Sequence, residues 1–183
     1  MEQVLFLKSF LKNWKEVGSI TPSSRFLAER LLDRARLREA RVVVELGAGL
    51  GTITKRILRH VGAGCRIVTF EINPLFCERL RRFGDSRLEV VNDSALALGD
   101  YLREARIDYL VSGLPLATLG RPNKRVLLRQ IHQSLAADGR YVQFQYSLES
   151  YRELKSVFSD VRLTFALLNT PPAFIYQCTK HLI

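Results

Sequence analysis

The chain has 183 residues, 47% hydrophobic and 25% charged, which suits one globular domain with its own core and is too short for two ordinary domains. No run is long and apolar enough to span a bilayer. The apolar N-terminus is broken by Lys8, Lys12 and Lys15 and has no small-residue cleavage site after it, which argues against a secretory signal. A formal net charge of +10 points to a polyanionic partner, either nucleic acid or an anionic membrane surface. Cys65, Cys77 and Cys178 are odd in number and scattered, as expected of reduced, structural thiols in a cytoplasmic protein. His60, His132 and His181 stand alone, and no metal is expected.

The periodicity predicts an amphipathic helix over residues 2–18. At ~100° per residue, Val4, Phe6, Leu7, Phe10, Leu11, Trp14 and Val17 share one face, with the three lysines along its edge. Large aromatics beside lysines suit a membrane interface. A helix packed on its own core shows the same pattern, and both readings stand. Residues 1–19 form an appendage to a single domain. Thr21-Pro22-Ser23-Ser24 starts a second helix to about Leu37, with Leu27, Leu31 and Ala35 inward.

Val42 to Leu46 is a β-branched run expected to form a buried parallel strand. Glu45 lies in it, and Gly47, Gly49 and Gly51 follow at alternate positions before helix-compatible residues from Ile53. Glycine accepts positive φ and lets a ligand approach the backbone, and such a turn delivers the ligand to a helix N-terminus. The spacing is not the G-x-G-x-x-G of a dinucleotide site. A second strand, Arg66 to Glu71, ends in an acid about 20 residues after the glycines, where ribose hydroxyls are bound. Ile72 and Asn73-Pro74 lead into a helix to about Phe83.

Leu88 to Val91 is a third strand, followed by Asn92-Asp93-Ser94. Asp93 either reads a base amino group or caps a helix from Ala95 to about Glu104. Ile107 to Val111 is a fourth strand, and Ser112-Gly113-Leu114-Pro115 lies at its carboxyl end, where open α/β sheets bind ligands. A helix over Arg121 to Ala137, closed by Asp138-Gly139, precedes a strand over Tyr141 to Tyr146 and a short helix from about Glu149 to Phe158. Val161 to Leu168 and Ala173 to Thr179 form an antiparallel pair across Asn169-Thr170-Pro171-Pro172.

This succession resembles the Rossmann-like S-adenosylmethionine (SAM) methyltransferase fold, an α/β class with a mostly parallel seven-stranded sheet and an antiparallel C-terminal strand. Over nearly the whole chain it is similar to the bacterial phospholipid N-methyltransferases. The match is carried by the basic apolar opening helix, Gly18 to Arg25, the E-x-G-x-G-x-G loop from Glu45 to Gly51, the acid Glu71, the S-G-L-P segment, and Pro171-Pro172-Ala173 before an aromatic strand. The rRNA adenine dimethyltransferases are related. They carry an N-L-P-Y motif where this chain has Ser112-Gly113, and a helical domain after the last strand where this chain has Ile183. Both departures argue against a nucleic-acid partner.

The resemblance implies SAM as cofactor and S-adenosylhomocysteine as product. It implies a cofactor site drawn from Ser24, Arg25, Glu45, Gly47, Ala48, Gly49, Gly51, Glu71, Ile72, Asn92, Asp93, Ser94 and Ser112. The backbone of Ser112, Gly113, Leu114 and Pro115 becomes the candidate acceptor for the substrate amine, and Tyr146 either lines the methyl pocket or stands at its rim. Arg25, Arg121, Lys124 and Arg125 are candidates for a lipid phosphate, and Phe6, Lys8, Phe10, Lys12, Trp14 and Lys15 for membrane contact. The implied reaction is stepwise methylation of the phosphatidylethanolamine headgroup toward phosphatidylcholine at the inner face of the plasma membrane. It needs no metal. Another amine lipid such as ornithine lipid, RNA adenine methylation, and a non-catalytic SAM-binding module are the alternatives.

Overall fold

The computed structural model describes residues 23–102, 105–166 and 172–180. The helix expected over 2–18, and the connection over 169–171, lie outside the described residues. Seven strands form one sheet: β1 (Val42–Leu46), β2 (Arg66–Phe70), β3 (Leu88–Val91), β4 (Ile107–Ser112), β5 (Leu135–Gln145), β6 (Asp160–Ala166) and β7 (Ala173–Thr179). Their order is β3-β2-β1-β4-β5-β7-β6. β7 runs antiparallel between β5 and β6, and the other pairs are parallel. Strand order reverses between β1 and β4, and the crevice that opens at such a switch point lies at their carboxyl ends.

Both faces of β1 are covered, which is why its apolar residues do not alternate with polar ones; Glu45 is the buried exception. Val44 and Leu46 pack with Leu128, Tyr141 and Tyr176 on one side, under α6 (Arg121–Ser134) and α7 (Tyr151–Val157). Val43 packs with Leu27, Leu31, Leu37, Ile57 and Tyr109 on the other, under α1 (Ser23–Leu31), α2 (Arg34–Glu39) and α3 (Thr52–His60). α4 (Pro74–Arg81) starts from the Asn73 cap, whose side chain accepts from Leu75 N at 3.0 Å.

The sequence led to one helix from Ser23 or Ser24 to Leu37, and the structure divides it. Asp33 caps α2 by accepting from Arg36 N, and the buried Tyr109 phenol bridges the break, donating to Leu31 O and accepting from Asp33 N. A second correction concerns Asp138-Gly139, which does not close a helix. α6 ends at Ser134, and the pair sits inside β5 where its register against β4 shifts. A Cβ at Gly139 would lie 2.5 Å from Ile107 O, so only glycine lets the two backbones approach there. The helix expected from Ala95 to Glu104 is a 3₁₀ turn (Ala95–Ala97) followed by the single turn α5 (Leu98–Tyr101).

Candidate active site

The loops after β1, β2, β3 and β4 enclose a cleft of about 860 Å³, including its open mouth. Its floor is the glycine turn. Gly47, Gly49 and Gly51 have φ of +75°, +53° and +80°, conformations that residues with a Cβ rarely adopt. Gly47 N and Ala48 N both donate to Phe70 O, tying the turn to β2. A Cβ at Gly49 would meet nothing within 4 Å, so the turn faces open space there.

Glu71 stands over that turn, 8% exposed. Its carboxylate accepts from Gly49 N at 2.8 Å and from Asn73 N at 2.9 Å. Burial raises its pKa, while these N–H groups pull the other way. With backbone donors from Gly49, Ile72 and Asn73, the carboxylate still keeps acceptor capacity for a ligand hydroxyl. Asn92 secures the same loop, donating its amide to Glu71 O and Ile72 O. Ser94 takes the capping role by accepting from Leu96 N, which leaves Asp93 exposed on the cleft wall.

Glu45 is deeper, 1% exposed. One carboxyl oxygen accepts from Thr54 Oγ1 at 2.6 Å, and the other has no partner among the described residues. Desolvation outweighs the Thr54 bond and pushes its pKa up to about 8, with the Glu71 charge adding to the rise.

The opposite wall is the Ser112–Pro115 turn. Ser112 is fully buried, with Leu114 N donating to its hydroxyl. Gly113 N donates to Leu46 O, joining the turn to β1. The four carbonyls expected as amine acceptors are not equivalent. Pro115 O is filled by Thr118, and Leu114 O accepts from Gln143 Nε2 at 3.0 Å and Gln145 Nε2 at 2.8 Å. Gly113 O accepts from none of the described residues.

One of two alternatives is favoured, and one expectation is corrected. Tyr146 lies one residue beyond β5, 50% exposed and not among the residues lining the cleft, which favours the rim over the pocket; its ring meets Phe144 edge-on, and it is Phe144 that packs against Gly113. Lys124 is 4% exposed, with its ammonium 2.7 Å from Glu153, which closes it to a lipid phosphate. An apolar α6 face carried it inside, which the charge pattern hid. Arg121 and Arg125 remain exposed on α6. Ser24 and Arg25 sit in the first turn of α1, and their side chains lie outside the described residues, as do Phe6, Lys8, Phe10, Lys12, Trp14 and Lys15.

Sequence reasoning missed Gln143 and Gln145, whose signal was two amides at alternate positions in an otherwise apolar strand. It also missed the apolar walls supplied by Phe76, Leu96, Leu119 and Leu127. The Glu71 carboxylate, the exposed Asp93, an open glycine turn and apolar walls fit a cationic nucleoside with a flat base, while Glu45 with its orphan oxygen lies beneath the turn rather than in the lining. Among the described residues, no three His, Cys, Asp or Glu side chains could hold a metal, and no helix is long and apolar enough to cross a membrane.

The methyltransferase-domain family matches residues 44–141. The chain is 36% identical to an ornithine lipid N-methyltransferase of Singulisphaera acidiphila, over 95% of this chain and 94% of that one. It is 28% identical to the ribosomal RNA small subunit methyltransferase A of Thermotoga neapolitana over 67% of its length, but spans only 46% of that protein. Among solved structures, the 1,6-didemethyltoxoflavin-N1-methyltransferase of Burkholderia thailandensis, with S-adenosylhomocysteine bound, shares the fold with a TM-score of 0.72 at 20% identity, covering 97% of this chain and 89% of that one.

Proposed function

We propose, for a chain that belongs to the SAM-dependent methyltransferase family, that its acceptor is the primary amine of a membrane-lipid headgroup. Near-full-length similarity to an ornithine lipid N-methyltransferase carries this reading. The ornithine headgroup rests on that relative, and phosphatidylethanolamine on the sequence motifs. Both present a primary amine on a zwitterionic lipid.

SAM, when bound, supplies a methyl group on a sulfonium, activated for in-line displacement, and becomes S-adenosylhomocysteine. Glu71 would hold the ribose hydroxyls, Asp93 the base edge, and the glycine turn with Glu45 the methionine end. Gly113 O would accept an amine hydrogen and align the nitrogen lone pair, with the nitrogen ~3–3.5 Å from the methyl carbon. The apolar walls disfavour the ammonium form, so the amine attacks neutral. Residues 1–19 would lie in the plane of an anionic membrane at its cytoplasmic face.

The test is transfer from labelled SAM to anionic vesicles carrying ornithine lipid or phosphatidylethanolamine, and separately to total RNA. Label in either lipid supports the proposal and names the headgroup. Label in RNA alone overturns it, and label in neither with SAM still bound points to another acceptor or to a binding module. Deleting residues 1–18 is expected to abolish sedimentation with anionic vesicles. Undiminished sedimentation would move the membrane contact elsewhere.

A further inference from the structure

Tyr141, Gln143 and Gln145 alternate along β5 and share one face, and all three are buried. The Tyr141 phenol donates to Gln143 Oε1 at 2.7 Å and is hydrogen-bonded to the Ser112 side chain. Gln143 Nε2 donates to Phe144 O and to Leu114 O, and Gln145 Nε2 donates to Leu114 O as well. A carbonyl oxygen has two lone pairs, and both of those on Leu114 are engaged. A run of neutral groups thus extends from Ser112 through β5 and back to the same turn two residues later.

A merely structural need does not require this. Buried amides cost free energy unless every donor and acceptor is paired, and an apolar pair would fill the same space at lower risk. The network also acts on the one segment that adjoins both sides of the site. Leu114 touches Gly47 across the cleft, since a Cβ there would lie 2.8 Å from Leu114 Cδ2, and Gly113 N is bonded to β1.

We infer that Gln145, supported by Gln143, is a positioning residue for the methyl-transfer step: by saturating the Leu114 carbonyl it fixes the Ser112–Pro115 turn in one orientation and removes a competing acceptor for the substrate amine. This rests on the amine-acceptor reading of the same turn. Gln145 does not touch the substrate and acts through the backbone it holds. An unsaturated Leu114 carbonyl would offer the amine a second, unproductive partner, and the lone pair would lose its alignment.

Gln145→Leu is expected to lower kcat for methyl transfer to the lipid amine about tenfold, the worth of one hydrogen bond in the transition state, while KM for lipid and Kd for SAM stay within about twofold. Gln145→Glu adds a readout that packing alone would not move. Protonated, the acid donates to Leu114 O and restores turnover; ionised, it repels that oxygen, so kcat falls as pH rises. The carbonyl 13C shift of Leu114, read without lipid, is expected to change in Gln145→Leu and to become sensitive to added ethanolamine, whereas in the native protein ethanolamine leaves it unmoved. An unchanged kcat and pH profile overturns the inference, as does a native Leu114 carbonyl that responds to ethanolamine. If Gln145→Leu fails to fold, the native carbonyl measurement still decides. A native protein that methylates no amine lipid sinks the proposed function instead, and the carbonyl shift separates the two failures.

Discussion

The two walls of the cleft are built on different principles. The wall after β1 and β2 works with charge and bare backbone: the Glu71 carboxylate, glycines with positive φ, and N–H groups aimed at that carboxylate. The wall after β4 has no ionisable group in its turn and is held by neutral amides from the next strand. The difference follows the chemistry proposed for each side. A cofactor that carries its own positive charge is met by a carboxylate, whereas an amine that must attack neutral is met by a carbonyl oxygen. A carboxylate beside the amine would stabilise the ammonium form and slow the reaction.

The contrast can be broken most severely at the glycine turn. Gly51→Ala combines φ +80° with a Cβ 2.6 Å from the Phe83 ring, and should destabilise the fold by about 2–4 kcal/mol, read as a fall in melting temperature. An unchanged melt would show that the turn relaxes. Glu71→Ala should weaken SAM binding about tenfold to a hundredfold in calorimetry with the fold intact, because water can serve Gly49 N and Asn73 N at the cleft. Native affinity in that variant would remove Glu71 from the cofactor side.

Glu45 sharpens the comparison through pH. In the folded protein it keeps its proton to about pH 8, against an ordinary value of 4.5. Between these values the unfolded chain binds fewer protons than the native one. Stability should therefore fall as pH rises across that window, by up to about 1.4 kcal/mol per pH unit. Glu45→Gln should flatten this slope in melts from pH 5 to 8. An identical slope in both proteins would mean that Glu45 is already ionised when folded. The smallest effect is expected at Tyr146, half exposed beside the buried Gln145. Tyr146→Ala should change stability by less than about 0.5 kcal/mol and leave turnover near native. A large loss of activity would return Tyr146 to the methyl pocket.

The strand succession, the glycine turn, the acid after β2 and the place of the Ser112–Pro115 segment were legible from the residues alone. These are local: a β-branched run, a glycine that alone tolerates positive φ, and an acid at a strand end are each read within a dozen residues. The cofactor class came from the resemblance of those features to a known methyltransferase family. The features that the residues alone left hidden depend on partners far apart in the chain. Tyr109, 76 residues from Asp33, splits the first helix. Gly139 bends into β5 because Ile107 lies beneath it. Glu153 draws Lys124 out of reach of any phosphate. Gln143 and Gln145, 29 and 31 residues from Leu114, choose which carbonyl of the turn is spent and which stays open. Each is a hydrogen bond or close approach across the sheet, and neither composition nor periodicity carries its distance.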